Sequence, residues 1–343
     1  MLGAGMTAAA TALQAWETDK AAACARIERN AGFLKILLKI KNDPIFLGRW
    51  VRHHAKIVGL SNLVIFDNMS DDPDVLSLYR GLSNDLHVTT FTGLHNNIHD
   101  ASLFPELYAS LARSCEYFLF LDADEFLVLF DGQRYYDALS VSRFIERNRD
   151  VDVFPSAWLL NMAGSDTKFL SGADFARFSD GLPWGKPVLR SKLALSGYIQ
   201  HNIQLDKSLY RSRLVTNLFL MHMVQLSAKQ RVRANFYKLL ARNFISPDDS
   251  LEKIAQIDPG GITDANIRLY VSEIRRLLPN CEAPGAGSPR LIPGSLELMP
   301  NGTISYYSEA ERAVMASILV NAGGIADRAL RLPEAATTQA TPV

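Results

Sequence analysis

From Phe33 onward, short apolar runs alternate with stretches whose apolar residues recur at helical spacing, which predicts strands and helices in turn. Phe33 to Ile40 reads as a first strand. Pro44 stands where a helix begins, and within Ile45 to Val58 the residues Phe46, Trp50, Val51 and Ile57 approximate one face, with Gly59 as the stop. Asn62 to Phe66 is a second strand. The turn residues from Asp67 to Pro73 open a short helix ending near Arg80, and Leu86 to Phe91 is a third strand. Roughly Asp100 to Ser114 reads as a helix, which requires Pro105 to lie in its first turn or to kink it. Tyr117 to Leu121 is uninterrupted apolar sequence, the pattern of a strand buried on both faces. It runs into Asp122-Ala123-Asp124-Glu125 and turns apolar again from Phe126 to Phe130.

Further along, the pattern predicts a helix over Val141 to Asn148, a strand near Val151 to Trp158 and a Gly-rich loop region to about Pro187. Val188 to Leu195 and Arg213 to Met223 are strand-like. Ser227 caps a basic helix from Ala228 to Arg242. Asp264 to Leu278 is helical, a Pro/Gly-rich connector reaches Gly302, and a last helix runs from Ser308 to about Leu330. This rhythm predicts an α/β fold with a mostly parallel central sheet and a C-terminal helical appendage. The divisions expected are an N-terminal extension over 1–31, a main domain over 32–245, a helical region over 246–332 and a disordered tail over 333–343. Within the extension, Ala8 to Ala15 reads as a weak helix or a frayed segment.

The 343 residues, 48% hydrophobic and 21% charged, are enough for one large core. Lys+Arg and Asp+Glu number 36 each, so the net charge is zero and no nucleic-acid partner is expected. Cys24, Cys115 and Cys281 lie far apart with no ligand spacing, which fits structural thiols in a reducing compartment. No apolar run approaches the ~20 residues of a spanning helix. The N-terminus lacks the basic leader of a signal peptide. A cytoplasmic protein is expected, with peripheral contact at the inner face of the membrane left open.

Against that background the acids after Leu121 stand out, because carboxylates placed inside the most apolar part of the chain need a cation. If the strand continues, Asp122 and Asp124 point to the same side. A hard divalent ion takes oxygen ligands and relieves their repulsion, so the pair reads as a metal site. The plainer reading is a helix cap or a pairing with arginine.

Ligands of α/β sheets bind beyond the carboxyl ends of the strands, where strand one ends in Lys41-Asn42-Asp43 and strand two in Asp67-Asn68-Met69-Ser70-Asp71. Strand four ends in Asp122-Ala123-Asp124-Glu125-Phe126. In this order, with Trp50 and His54 between the first two, the set resembles the bacterial branch of GT-A, family-2-like glycosyltransferases that reads KNE, WxxxH, DNxSxD, FLDxDEF. Trp158 with Gly164-Ser165 is similar to that family's acceptor loop. Gly185-Lys186-Pro187 with His201-Asn202 resembles its later lysine and histidine block. Met221-His222-Met223, with Ser227 and Lys238 downstream, resembles its ending. The resemblance covers about Phe33 to Arg242.

The resemblance implies a GT-A, Rossmann-like fold and an enzyme, of hexosyltransferase and inverting type, that moves a sugar from a nucleotide-diphosphate donor, UDP-sugars favoured. The acceptor would be a glycan or lipid-linked hydroxyl in bacterial surface polysaccharide or glycolipid synthesis. It further implies Mn²⁺ or Mg²⁺ held by Asp122, Asp124 and His222. Asp43 and Asp67 would read the nucleotide, and Asn42 and Asn68 would fix the loop around them. Lys41, Lys186 and His201 would complete the substrate contacts. Asp166 is the candidate general base, with Asp174, Asp180 and Glu125 as alternatives. Departures are Asp43 in place of glutamate, Met223 in place of tyrosine, and Leu159 to Ala163 where a phenylalanine usually precedes the glycine. Two other readings stand beside this one: a sugar-nucleotide-binding protein without turnover, and a phosphatase with Asp-x-Asp after its strand.

Overall fold

The computed structural model describes residues 13–82, 85–170, 184–193, 195, 197–205, 217–281 and 289–321. Asp174 and Asp180, the segment 333–343, and parts of the predicted elements at 8–15, 188–195, 213–223 and 308–330 lie outside these.

The first half of the chain follows the strand-helix alternation closely. In order come β1 (Gln14–Ala15), α1 (Trp16–Arg29), β2 (Gly32–Ile40), α2 (Leu47–Val58), β3 (Leu63–Asp67), α3 (Pro73–Leu82), β4 (His87–Thr90), α4 (Pro105–Ser114) and β5 (Cys115–Leu121). Pro105 occupies the first turn of α4, where its missing N–H leaves no bond unmade. There follow β6 (Glu125–Phe130), β7 (Tyr135–Tyr136), α5 (Ala138–Arg147), β8 (Val153–Leu160), β9 (Lys168–Leu170), β10 (Pro187–Arg190) and β11 (Leu218–His222). The C-terminal part holds α6 (Ala228–Ala241), α7 (Leu251–Ala255), α8 (Ala265–Leu277), β12 (Ser295–Leu298), β13 (Ile304–Tyr306) and α9 (Glu309–Asn321).

The architecture is α/β, built on a ten-stranded sheet ordered β1-β4-β3-β2-β5-β10-β8-β11-β6-β7. It is parallel from β1 through β5. Beyond β5 it is mixed: β10 runs antiparallel to both neighbours, β11 runs parallel to β8, and β6 runs antiparallel to β11.

Coverage of both faces explains why β2, β3 and β5 are largely apolar, with Lys35, Lys39, Asp67 and Glu116 as the charged exceptions. Ile36, Leu38, Leu63, Ile65, Leu119 and Leu121 pack in one core with Trp50 and Val51 of α2, Tyr79 of α3 and Phe144 of α5. Leu37, Val64, Phe66, Phe118 and Phe120 face the other way, against Ile27 of α1 and Leu107 and Leu111 of α4. Trp16 belongs to this second core, with its ring 5.4 Å from Phe66, so α1 packs as a layer of the fold.

The C-terminal region is helical only in part. Val232 and Leu239 of α6, Ile254 of α7, and Val271 and Ile274 of α8 form a separate small core. The predicted connector carries β12, which pairs with β13 and with β9 in a three-stranded sheet. Short strands among Pro and Gly give no periodicity, so they escaped a pattern-based reading. No helix among the described residues is long and apolar enough to cross a membrane.

Candidate active site

At the carboxyl ends of β2 and β5 lies a cavity of about 310 Å³. Its polar walls are Lys39, Lys41, Asp43, His95, Asp122, Asp124, His222, Arg231 and Lys238, and Ile40, Ile45, Phe46, Met223 and Leu226 are among its apolar ones. Elements far apart in sequence therefore converge where the strand endings suggested.

The two aspartates both line the cavity, but from a turn instead of an extended strand. β5 ends at Leu121 and β6 starts at Glu125, so Asp122 and Asp124 sit in the intervening turn, where strand alternation no longer applies. Asp122 Oδ2 lies 2.5 Å from Lys186 Nζ, and its Oδ1 lies 3.4 Å from Lys39 Nζ. Burial alone would raise the Asp122 carboxyl; the two lysines outweigh it and hold the group well below the usual carboxylate range. Asp122 is thus held by two lysines while it lines the cavity.

Asp124 turns instead to His222, whose Nε2 is 3.5 Å from its Oδ2. Register explains the meeting: β11 places His222 opposite Glu125, the neighbour of Asp124, and Met223 N–H donates to the Asp124 carbonyl at 2.8 Å. Burial disfavours charge on both partners, yet each outweighs that effect on the other, so His222 is raised and Asp124 lowered. His222 Nδ1 is buried without a hydrogen-bond partner.

Among the described residues no group of three or more His, Cys, Asp or Glu side chains is placed to hold a metal. Asp124 and His222 still fit a divalent ion of the Mg²⁺ or Mn²⁺ kind. Such ions are commonly held by one or two protein groups, with substrate phosphates and water supplying the other ligands.

Lys186 and Glu125 lie behind Asp122, outside the cavity lining. Lys186 is fully buried and lies 2.8 Å from Glu125 Oε2; burial works against its charge, but the two carboxylates outweigh that and keep it protonated. Glu125 is buried as well, and its Oε1 accepts the indole N–H of Trp158 at 2.7 Å. The main chain is fixed just as closely. Lys186 N–H donates to Ser156 Oγ at 3.1 Å, and a Cβ at Gly185 would collide with the Ser156 carbonyl. Lys186, expected as a substrate contact, is thus enclosed behind Asp122 and does not line the cavity.

The loops around Asn42 and Asp67 brace each other. Asn42, with φ 48°, accepts from the N–H groups of Asp71 and Asp72 at 2.9 and 3.0 Å and donates to Asp71 at 2.6 Å. Asn is among the few residues that adopt that backbone readily. Asn68 reaches the Gly93 carbonyl at 3.2 Å. Asp67 is 1% exposed and accepts from Ser70 N–H and Tyr79 Oη at 2.5 and 2.8 Å, so it stiffens the turn and is not free to read a nucleotide. Asp43 does line the cavity. One of its oxygens accepts from the N–H groups of Ile45 and Phe46, and burial, reinforced by Asp124, pushes its carboxyl up to about 6.

Two expected residues stand apart from the cavity wall. Asp166 is an exposed group paired with Arg49 at 3.2 Å, so the base assigned to it is not supported by its position. His201 packs against Trp158 and Trp184, with ring centroids 5.4 and 6.1 Å away. Conversely, Lys39, His95 and Arg231 were missed. Lys39 sits within a largely apolar strand, His95 in a short 3₁₀ turn and Arg231 among several basic residues of α6, so none carried a pattern of its own.

No protein-family model matches the chain, and no curated protein matches it either. Solved structures give partial overlays. S. aureus TarS aligns at 16% identity over 38% of this chain and 21% of that one, with a TM-score of 0.24. Its 1-349 fragment aligns at 10% identity over 71% of each chain, with a TM-score of 0.31. Glucosyl-3-phosphoglycerate synthase from Mycobacterium tuberculosis, in complex with Mn²⁺ and UDP-glucose, aligns at 13% identity over 39% of this chain and 47% of that one, with a TM-score of 0.24. The chain thus spans about a fifth of TarS and about half of the synthase. At TM-scores this low the overlays assign this chain no activity.

Proposed function

We propose that this chain is a GT-A-type glycosyltransferase that takes a sugar from a nucleotide-diphosphate donor, a UDP-sugar in the favoured case. The observation that carries the reading is the Asp124–His222 pair on the wall of a cavity at the carboxyl ends of β2 and β5, with Lys41, Arg231 and Lys238 on other walls.

A Mn²⁺ or Mg²⁺ ion held by Asp124 and His222 would supply positive charge to the departing diphosphate. The chain's own cations act in the same direction. Lys41, Arg231 and Lys238 line the cavity, with Arg231 Nε 3.5 Å from Glu273 Oε2 and Lys238 Nζ 5.4 Å from the Tyr270 ring centre, and developing negative charge is best stabilised by groups already in place. Asp43 is proposed to contact the nucleotide. Ile45, Phe46 and Leu226 keep part of the wall dry, which strengthens each charge interaction. The acceptor, a glycan or lipid-linked hydroxyl, rests on the sequence resemblance alone, as do an inverting outcome and a place at the inner face of the membrane.

A sugar-nucleotide-binding protein without turnover is the second reading, favoured by the position of Asp166 outside the cavity. Incubation with a panel of nucleotide sugars and Mn²⁺ separates the two. Release of nucleoside diphosphate supports transfer, tight binding without release supports the second reading, and neither binding nor release contradicts both.

A further inference from the structure

Lys186 has no solvent-exposed surface, yet its ammonium lies 2.5 Å from Asp122 Oδ2 and 2.8 Å from Glu125 Oε2. The other oxygen of Asp122 faces Lys39 at 3.4 Å, and Lys39 lines the cavity. The other oxygen of Glu125 accepts from Trp158 at 2.7 Å, and that indole lies 4.8 Å, ring to ring, from His222. Lys39, Asp122, Lys186, Glu125 and Trp158 thus form one continuous series beneath the site.

We propose that Lys186 is a positioning residue that sets both ends of this series, Lys39 on the diphosphate side and Trp158 beside His222. The diphosphate side of the statement rests on the function proposed above, whereas the setting of Trp158 does not. Without a cation between them, two carboxylates held this close would repel, and one would turn away. That movement removes either the carboxylate of Lys39, which keeps only its bond to Asn96 Oδ1 at 2.6 Å, or the acceptor of the indole. The backbone bonds of Lys186 to Ser156, at 3.1 and 2.6 Å, leave the lysine no alternative seat.

The test follows Trp158 emission, isolated by subtracting the matching Trp158→Phe form, together with UDP binding by calorimetry in the presence of Mn²⁺. Without ligand, Lys186→Met and Glu125→Gln should each shift Trp158 emission and raise its acrylamide quenching about twofold. UDP binding should weaken at least tenfold in Lys186→Met, and by less in Glu125→Gln, which keeps the contact of Lys186 with Asp122. Simple loss of packing would not separate the variants in this way. Where Lys186→Met fails to fold, the double variant Lys186→Met/Glu125→Gln, with both buried charges removed and an acceptor kept for the indole, should show the same two losses. Unchanged Trp158 emission in the folded variants, or undiminished UDP binding in either Lys186 variant, overturns the proposal. A wild type that binds no UDP contradicts the proposed function instead, and the tryptophan measurement then decides the positioning role alone.

Discussion

His222 Nε2 lies 3.5 Å from Asp124 Oδ2, two residues about a hundred positions apart that meet because β11 runs antiparallel to β6. Two residues before Asp124, Asp122 also lines the cavity but pairs with lysines. The two aspartates therefore have different work, and replacing each should give a different result.

Asp122→Ala leaves Lys39 without its carboxylate and Lys186 with Glu125 alone, so unfolding in urea should show a loss of roughly 3 kcal/mol. Asp124→Asn disturbs only a partly exposed pair and should lose less than about 1 kcal/mol. Equal losses would contradict the division of roles.

Asp43 gives the fold a pH signature. Its carboxyl is raised from 3.8 to about 6, chiefly by burial, so the folded state binds the proton more tightly than the unfolded chain does. Stability from this group is fully present below about pH 4 and is lost as pH rises through about 6. Asp43→Asn keeps an acceptor for Ile45 and Phe46 N–H but cannot ionise, so its stability should lack this decline. The difference between wild type and variant across that window should approach about 3 kcal/mol at most. A wild-type curve parallel to that of Asp43→Asn would contradict the assignment.

Arg231→Ala and Lys238→Ala should each weaken UDP binding about tenfold, since each removes a charge-assisted contact to phosphate. Both variants should also show a shallower dependence of affinity on salt. Calorimetry at two ionic strengths checks both effects.

His54 illustrates a motif residue with a structural task. It is fully buried, its Nδ1 pairs with the Trp50 carbonyl at 2.9 Å, and its Nε2 accepts from Leu127 N–H at 3.3 Å. His54→Ala strands that amide between α2 and β6 and should cost about 1–3 kcal/mol plus the lost packing. Thermal unfolding measures it.

Much of the fold was legible because β2, β3 and β5 are covered on both faces and are therefore largely apolar. The meeting of strand endings followed from the parallel half of the sheet. Side-chain direction after Leu121 was not legible, because the chain leaves extended geometry there and alternation fails. Asp67 and Lys186 show a second limit. Each sits in a segment that reads as a binding loop, and only three-dimensional packing reveals that Tyr79 and Ser70, or Glu125 and Asp122, already occupy it. The small sheet of β9, β12 and β13 joins segments more than a hundred residues apart, and short strands among turn residues carry no local signal.

The most direct test is thermal unfolding of wild type and Asp124→Asn with UDP, with Mn²⁺, and with both. The account predicts that UDP and Mn²⁺ together stabilise the wild type by more than the sum of their separate effects, and that Asp124→Asn abolishes this excess while remaining folded. An equal response to UDP with and without Mn²⁺, or an undiminished excess in Asp124→Asn, would contradict it.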